Sequence, residues 1–293
     1  MNEFAIGLIG WLAGAAIWFW WVRRYDRFEP ESIRALLCVG VFGGLASGVA
    51  AGIGNELVAK ALGLSNGVAD IATGTGLPAR TAFALALFVG FNEEVLKAVA
   101  AVVLTRFFGD LDEPVDAPLY AMMTALGFAV VENLDYATQF GAGVLLPRYV
   151  LATGVHVVLA LLWGAAWAKG RFLMPRTPLW IVMTPAIVVA AVLHGAWDYA
   201  SFTKSIPGVL LGLVGLATLA VWAHGTKRAI AMESPFVAGG VCPQCGGAGG
   251  QRATFCRQCG YSLYGVFFVQ CGDCKGRMPA HAAFCPRCGV ARA

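Results

Sequence analysis

The chain has 293 residues, of which 58% are apolar and only 13% are charged, with a formal net charge of +4. Its mean hydropathy is +0.70, and its charged fraction is about half that of an average soluble protein. These values argue against a soluble single domain, and the small positive charge does not by itself indicate a nucleic-acid-binding protein.

Seven stretches within residues 1–228 are apolar over about 20 residues, the length that a bilayer-spanning helix requires. They run approximately over residues 4–22, 34–53, 81–104, 118–139, 149–168, 179–200 and 207–222. The first stretch resembles a retained signal anchor, because basic residues follow it and none precedes it. The sequence therefore predicts an all-α polytopic membrane protein with about seven transmembrane helices.

Lysine and arginine residues in the connections predict the orientation of these spans. One set of connections carries ten of them and the other set carries four. Because the richer side of a membrane protein faces the cytosol, we expect the N-terminus outside and the C-terminal segment in the cytosol.

The second span and the connection after it carry two further patterns. Gly40, Gly44, Gly48 and Gly52 recur every four residues, which predicts close helix packing. The outer connection, residues 54–80, includes NELVAKALGL, which could form an amphipathic surface helix.

The third span carries ionisable residues near its middle, where a charged side chain costs about 2.5–3.5 kcal/mol. Glu93 and Lys97 are one helical turn apart and can form an ion pair, with Glu94 beside them. One carboxylate would then be neutralised by the lysine, and the other would be left in the dry environment that suits a general base. The alternative interpretation is a structural ion pair that only fixes helix packing.

Three later spans carry polar groups at compatible depths. The fourth contains Glu132 and Asn133, the fifth contains His156, and the sixth places His194 one turn before Asp198, which can orient the imidazole. Counted at 1.5 Å per residue from the outer end of each span, five ionisable residues lie in the outer half of the bilayer: Glu93, Glu94, Glu132, His156 and His194. One water-accessible cavity explains this placement most economically.

These residues also follow the order of known motifs. NEEVLK contains EExxK, FAVVEN contains FxxxEN, the next span carries a histidine, and HGAWD contains HxxxD. With YDRFEPES after the first span, they resemble the PrsW family of intramembrane proteases, relatives of the CAAX prenyl endopeptidases and the Abi superfamily. The resemblance covers residues 1–228 and implies a prokaryotic cytoplasmic-membrane enzyme that hydrolyses peptide bonds of membrane proteins, such as anti-sigma factors.

The resemblance and the spacing together give eight predicted catalytic residues: Glu93, Glu94, Lys97, Glu132, Asn133, His156, His194 and Asp198. In this hypothesis a glutamate of the third span acts as general base on a water that Glu132 or His156 also holds. The oxyanion is stabilised by the imidazole of the sixth span and by Asn133. The same donors could hold a catalytic metal, although HExxH is absent.

Two other function classes stay open at this point. Buried Glu, His, Asp and Lys residues also build ion pathways, so the protein could be an ion- or proton-coupled transporter or channel. No inverted repeat or pair of broken helices supports that interpretation. The other alternative is a catalytically silent membrane scaffold with a zinc-ribbon adaptor.

The C-terminal segment repeats one cysteine pattern, CxxC, ten residues and CxxC, in two copies: Cys242, Cys245, Cys256 and Cys259, then Cys271, Cys274, Cys285 and Cys288. Four thiolates bind zinc tetrahedrally, so residues 242–293 are predicted to form a double zinc ribbon with two structural Zn²⁺. Residues 229–241 form a linker to the membrane domain. Cys38, in the second span, has no histidine nearby in sequence and is interpreted as inert.

The basic excess of the tail does not predict nucleic-acid binding. Its Lys, Arg, Asp and Glu residues sum to +4, but eight thiolates with two Zn²⁺ carry −4 and cancel this charge. We expect the ribbon to bind a protein partner or to regulate the membrane domain.

Overall fold

The computed structural model describes residues 3–24, 31–67, 70, 76–111, 113–174, 176–208, 268–279, 285 and 288–291, with single positions between 210 and 225. The helices and strands in this part of the chain are α1 (Glu3–Arg23), α2 (Ile33–Ala61), α3 (Ala79–Phe108), α4 (Asp116–Phe140), α5 (Leu145–Val150), α6 (Ala152–Ala168), α7 (Leu179–Phe202), β1 (Phe268–Gln270) and β2 (Arg277–Pro279). A 3-10 turn precedes α5, and a π-helical turn, Lys169–Leu173, extends α6. The strands β1 and β2 pair antiparallel.

Four helices are long and apolar enough to cross a membrane: Ile33–Ala61, Asp116–Phe140, Ala152–Phe172 and Leu179–Phe202. The predicted class, a helical multi-pass membrane protein, is confirmed. Helix α3 has 30 residues, about 45 Å at 1.5 Å per residue, and it packs between α2 and α7. The predicted seventh span lies mostly outside the described residues, as do the linker and the first ribbon, so the count of seven stays a prediction.

One predicted boundary of the spans is wrong, and one predicted span is divided between two helices. Helix α2 does not end near residue 53 but continues to Ala61, because none of the residues that follow breaks a helix before Gly63, which has φ +88°. The segment NELVAKALGL is therefore mainly the end of α2 rather than a separate surface helix. The predicted fifth span is divided into α5 and α6 at Leu151.

Glycines bring α2 and α4 into close contact, as the four-residue repeat predicts. A Cβ on Gly44 would collide with the backbone of Gly127 on α4, and one on Gly127 would collide with the carbonyl oxygen of Gly40. A Cβ on Gly48 would lie 3.0 Å from Cγ1 of Val131 on α4, whereas a Cβ on Gly52 would meet nothing within 4 Å. The two helices therefore touch through the first part of the glycine repeat and not at Gly52.

Gly44 and Gly52 provide a matched test of this helix contact. Because overpacking costs about 1–3 kcal/mol, we expect Gly44→Ala to lower the midpoint of thermal unfolding in detergent by several degrees. Gly52→Ala meets open space and gains helix propensity, so its midpoint should equal or slightly exceed that of the original protein. Equal midpoints in the two variants would contradict the described contact.

Candidate active site

Ionisable side chains from three helices meet in the interior of the bundle. Glu93, Glu94 and Lys97 of α3, His156 of α6 and His194 of α7 are each at most 3% exposed. The two imidazole rings lie edge to face with their centroids 5.0 Å apart. The structure thus brings together the charged residues of the third span and both predicted histidines.

Glu94 is the hydrogen-bonding centre of this cluster. Its Oε1 accepts hydrogen bonds from Lys97 Nζ at 2.6 Å and His194 Nδ1 at 2.9 Å. Its Oε2 accepts one from the indole Nε1 of Trp163 on α6 at 3.0 Å. Both oxygens are used and the side chain is fully buried, so Glu94 orders its neighbours. Trp163 was not predicted, although a buried indole N–H requires an acceptor.

Glu93 is held at only one of its two oxygens. Its Oε1 accepts a hydrogen bond from Asn55 Nδ2 of α2 at 3.0 Å, and Asn55 is in turn bound by Asn92. Its Oε2 has no hydrogen-bond partner among the described residues, and Lys97 Nζ lies 3.9 Å away. The lysine therefore pairs closely with Glu94 rather than with Glu93. Sequence reasoning missed Asn55 because it placed this residue in a loop.

His194 presents one ring nitrogen to two carboxylates without bonding either. Since Nδ1 donates to Glu94, Nε2 is the free nitrogen in the neutral ring. It lies 3.6 Å from Glu93 Oε2 and 3.7 Å from Asp198 Oδ2, beyond hydrogen-bond length. The Asp198 oxygen also lacks a partner in the described part of the chain. Glu94, and not Asp198, therefore orients the imidazole, and the three polar atoms surround a space suited to water or a cation.

His156 connects the cluster to Glu132 of α4. Lys97 Nζ lies 3.1 Å from His156 Nδ1; because an ammonium can only donate, that nitrogen accepts, and Nε2–H donates to Glu132 Oε2 at 2.9 Å. Phe128 packs beside the imidazole, and Lys97 lies 4.5 Å from the centre of its ring. The network therefore runs without interruption from α3 through α6 to α4.

Arg148 of α5 completes the site and was not predicted. Its Nη2 donates to Glu132 Oε2 at 2.7 Å, and its Nε donates to Asn133 Oδ1 at 2.8 Å. Asn133 Nδ2 donates to Thr153 at 3.0 Å, so both ends of the amide that was predicted to bind the oxyanion are used within the protein. No sequence pattern marks Arg148 as a site residue, because basic residues are common in the connections between spans.

A cavity of about 580 Å³ adjoins the cluster between α2 and α4. Three site carboxylates line it, those of Glu93, Glu132 and Asp198, together with Asn55 and Tyr136. Glu94 does not line it. The carboxylates that can contact a substrate are therefore those of Glu93, Glu132 and Asp198, whose oxygens are not all hydrogen-bonded within the described residues.

Glu93, His156 and His194 fit a metal ion. Each offers one ligand atom, and these atoms lie within 4.8 Å of one another. The two ring nitrogens of His156 bond Lys97 and Glu132 in this structure, so binding of a metal would replace one of these bonds. A carboxylate with two imidazoles is a ligand set of hydrolytic zinc sites, which keep a further position open. The buried Oε2 of Glu93, which has no partner in the described residues, is the observation that favours a bound cation.

The second ribbon holds its four cysteines at zinc-binding distances. Cys271 and Cys288 Sγ are 3.5 Å apart, and Cys274 and Cys285 Sγ are 3.6 Å apart, close to the roughly 3.8 Å expected between ligands of one tetrahedral Zn²⁺. Gly289 has φ +76°, the turn conformation that favours glycine. These cysteines fit one structural zinc.

Comparison with known families agrees with this geometry. The family described as PrsW family intramembrane metalloprotease matches residues 31–223, and the double zinc ribbon family matches residues 242–289. The second match confirms the predicted double ribbon.

Curated relatives point to the same family. The chain is 30% identical over 148 residues to Protease PrsW of Shouchella clausii and 28% identical over 142 residues to Protease PrsW of Geobacillus kaustophilus. These alignments cover 50% and 48% of this chain, and 66% and 60% of the relatives, less than two thirds of their length. No solved structure matches the chain significantly.

The adjacent glutamates should differ in their effect on stability. Glu94→Gln weakens the partner of buried Lys97, and breaking a buried ion pair costs about 3–5 kcal/mol, so we expect a large fall in the midpoint of thermal unfolding. Glu93→Gln removes no close ion pair and keeps an acceptor for Asn55, so its midpoint should change little. A larger loss in Glu93→Gln than in Glu94→Gln would contradict the assignment of Glu94 as the structural centre.

The ribbon geometry predicts a defined loss of zinc. Replacing one of four ligands opens the site, so Cys285→Ser should lower the zinc content of the purified protein by about one ion per chain, measured by elemental mass spectrometry. Cys38→Ser is the control and should leave the zinc content unchanged. Zinc content unaffected by Cys285→Ser would refute this site.

Proposed function

Because the chain belongs to the PrsW family of intramembrane metalloproteases, we propose that it is an endopeptidase that cleaves membrane-protein substrates at the cluster around Glu93. The observation that carries this proposal is the unbonded Oε2 of Glu93, which lies 3.6 Å from His194 Nε2 beside the cavity. A carboxylate oxygen and an imidazole nitrogen with free hydrogen-bonding capacity are the groups that hydrolysis requires.

In the proposed mechanism Glu93 acts as the general base. Its Oε2 accepts a proton from the attacking water and returns it to the leaving amine, while Asn55 fixes the other oxygen. Glu132 orients the water through the oxygen that neither Arg148 nor His156 occupies. If a metal ion is bound, Glu93, His156 and His194 are the residues that would hold it; Oε2 of Glu93 would then be a ligand and not the base, and the ion would polarise the substrate carbonyl and activate water.

The remaining predicted residues have supporting roles in this scheme: they hold other side chains in place or face the cavity. Glu94 holds the ring of His194 through Nδ1, and Lys97 fixes Glu94 and His156. Asp198 faces the same cavity as Glu93, where its unbonded oxygen can accept a hydrogen bond from substrate or water. Asn133 supports Arg148.

An apolar groove next to the cavity suits the binding of an apolar segment of a substrate. A groove of about 640 Å³ between α1, α2 and α4 is lined by residues such as Ala16, Leu45 and Leu134. It shares Val131 with the polar cavity. A single-span membrane protein, such as an anti-sigma factor, is the substrate class that combines an apolar span with a polar segment beside it.

The proposed domain organisation and topology follow from the charge distribution and the cysteines. Residues 1–228 form the protease domain in the prokaryotic cytoplasmic membrane, with the N-terminus outside. Residues 229–241 link it to a cytosolic ribbon, residues 242–293, which is proposed to bind a protein partner. Eight thiolates in a reducing compartment favour zinc over disulfides.

The proposal predicts loss of cleavage in Glu93→Gln. Because removal of a general base typically lowers the rate about 10²–10⁴-fold, we expect the variant to be almost inactive when reconstituted in liposomes with a mixture of single-span membrane proteins. New N-termini, identified by amine labelling and mass spectrometry, should appear within or beside spans with the original protein.

Asp135→Asn is the matched control, since Asp135 lines the same cavity but lies outside the cluster. It should retain the cleavage products. Products that persist at the original rate in Glu93→Gln would exclude Glu93 as the base, and no products from the original protein would count against the protease assignment.

A further inference from the structure

One guanidinium binds the two adjacent polar residues of α4 at the same time. Arg148 reaches Glu132 through Nη2 at 2.7 Å and Asn133 through Nε at 2.8 Å. Its carbon Cζ also lies 3.5 Å from the ring centre of Tyr136, one turn further along α4. Bidentate and stacked contacts of this kind require the planar fork of arginine and are not available to lysine.

The position of Arg148 is itself fixed by α1. The carbonyl of the next residue, Tyr149, accepts a hydrogen bond from Trp18 Nε1 at 2.8 Å. The ring of Tyr149 packs on Gly14, where an added Cβ would lie 2.8 Å from it. The short helix α5 is therefore held between α1 and α4, and the guanidinium has a defined place.

Arg148 also supplies a charge that the cavity lacks. Glu93, Glu132 and Asp198 all line this cavity, and Lys97 makes its close ion pair with Glu94, which does not line it. Among the described lysines and arginines, Arg148 is the one that hydrogen-bonds one of these three carboxylates, whereas Lys60 pairs with Glu56, a further carboxylate of the lining. It binds the same oxygen of Glu132 as His156 does, which directs the second oxygen away from both.

From these contacts we propose that Arg148 is a positioning residue, which holds Glu132 in the orientation needed for hydrolysis, and that Asn133 serves to hold Arg148. The proposal rests on the proposed protease function and deepens it. It assigns a role to the asparagine of the FxxxEN motif other than binding of the oxyanion, since its amide oxygen and one of its two N–H groups bond within the protein and the residue is not among those that line the cavity.

The first test separates turnover from substrate binding. Arg148→Ala should lower kcat about 10–100-fold, as loss of a residue that orients a catalytic group does, with little change in KM. Arg148→Lys should recover only a small part of this loss, because lysine cannot bind both partners. Millimolar methylguanidine should partly restore kcat in Arg148→Ala and not in Glu132→Gln. Arg80→Ala, an exposed arginine at the start of α3, is the control and should behave as the original protein.

A double-mutant cycle tests whether Arg148 acts through Glu132. If it does, Arg148→Ala should cause no further loss of kcat in a Glu132→Gln background. An unchanged kcat in Arg148→Ala, or a loss that adds in full to that of Glu132→Gln, would overturn the proposal while leaving the protease function intact.

A measurement without turnover keeps the two proposals distinguishable. Carbodiimide-coupled amine labelling, read by peptide mass spectrometry, should modify Glu132 several-fold more in Arg148→Ala than in the original protein or in Arg80→Ala. Equal labelling in all three proteins would refute the contact even if no substrate is cleaved. If labelling of Glu132 increases in Arg148→Ala but the original protein cleaves no substrate, the role of Arg148 in holding Glu132 is supported. Only the proposed protease activity is then contradicted.

Discussion

The buried ion pair between Glu94 and Lys97 is the interaction on which the rest of the site depends. Both side chains are fully buried and their charged atoms are 2.6 Å apart. Such a pair is stable only if further hydrogen bonds replace the lost water. These bonds come from Trp163 on α6 and His194 on α7, while Lys97 also contacts His156. The requirement to satisfy two buried charges therefore fixes how α3, α6 and α7 assemble, and it positions both histidines.

Two neighbouring glutamates acquire different roles because successive residues of a helix point about 100° apart. Glu94 points towards α6 and α7, where three donors occupy its oxygens. Glu93 points towards α2 and the cavity, where Asn55 occupies one oxygen and the other stays unbonded within the described structure. Their burial is nearly the same, so the hydrogen-bond partners, and not the degree of burial, distinguish the structural carboxylate from the reactive one.

The sequence was sufficient to predict the helices and the residues that come together in the site. It was not sufficient to predict which of these residues pair with each other. Apolar length predicts the spans, and compatible depth predicts convergence, since both depend on helix geometry alone. The choice of Lys97 between Glu93 and Glu94 depends on side chains of α6 and α7, because spacings of three and four residues both permit a pair. Asn55 was missed because the end of α2 was placed too early. Arg148 was missed because only the folded chain brings α5 against α4.

The glycine repeat of α2 explains why the polar cavity lies where it does. At Gly44 the helix touches the backbone of α4, so no polar group or water fits between them. At Gly52, two turns later, an added Cβ would meet nothing within 4 Å, and this residue lines the cavity. Helices that touch at one level and separate at another leave a space that neither fills, and Glu93 and Glu132 face it. Several carboxylates can share this site because the divergence of α2 from α4 gives them access to water, which lowers the cost of their charge.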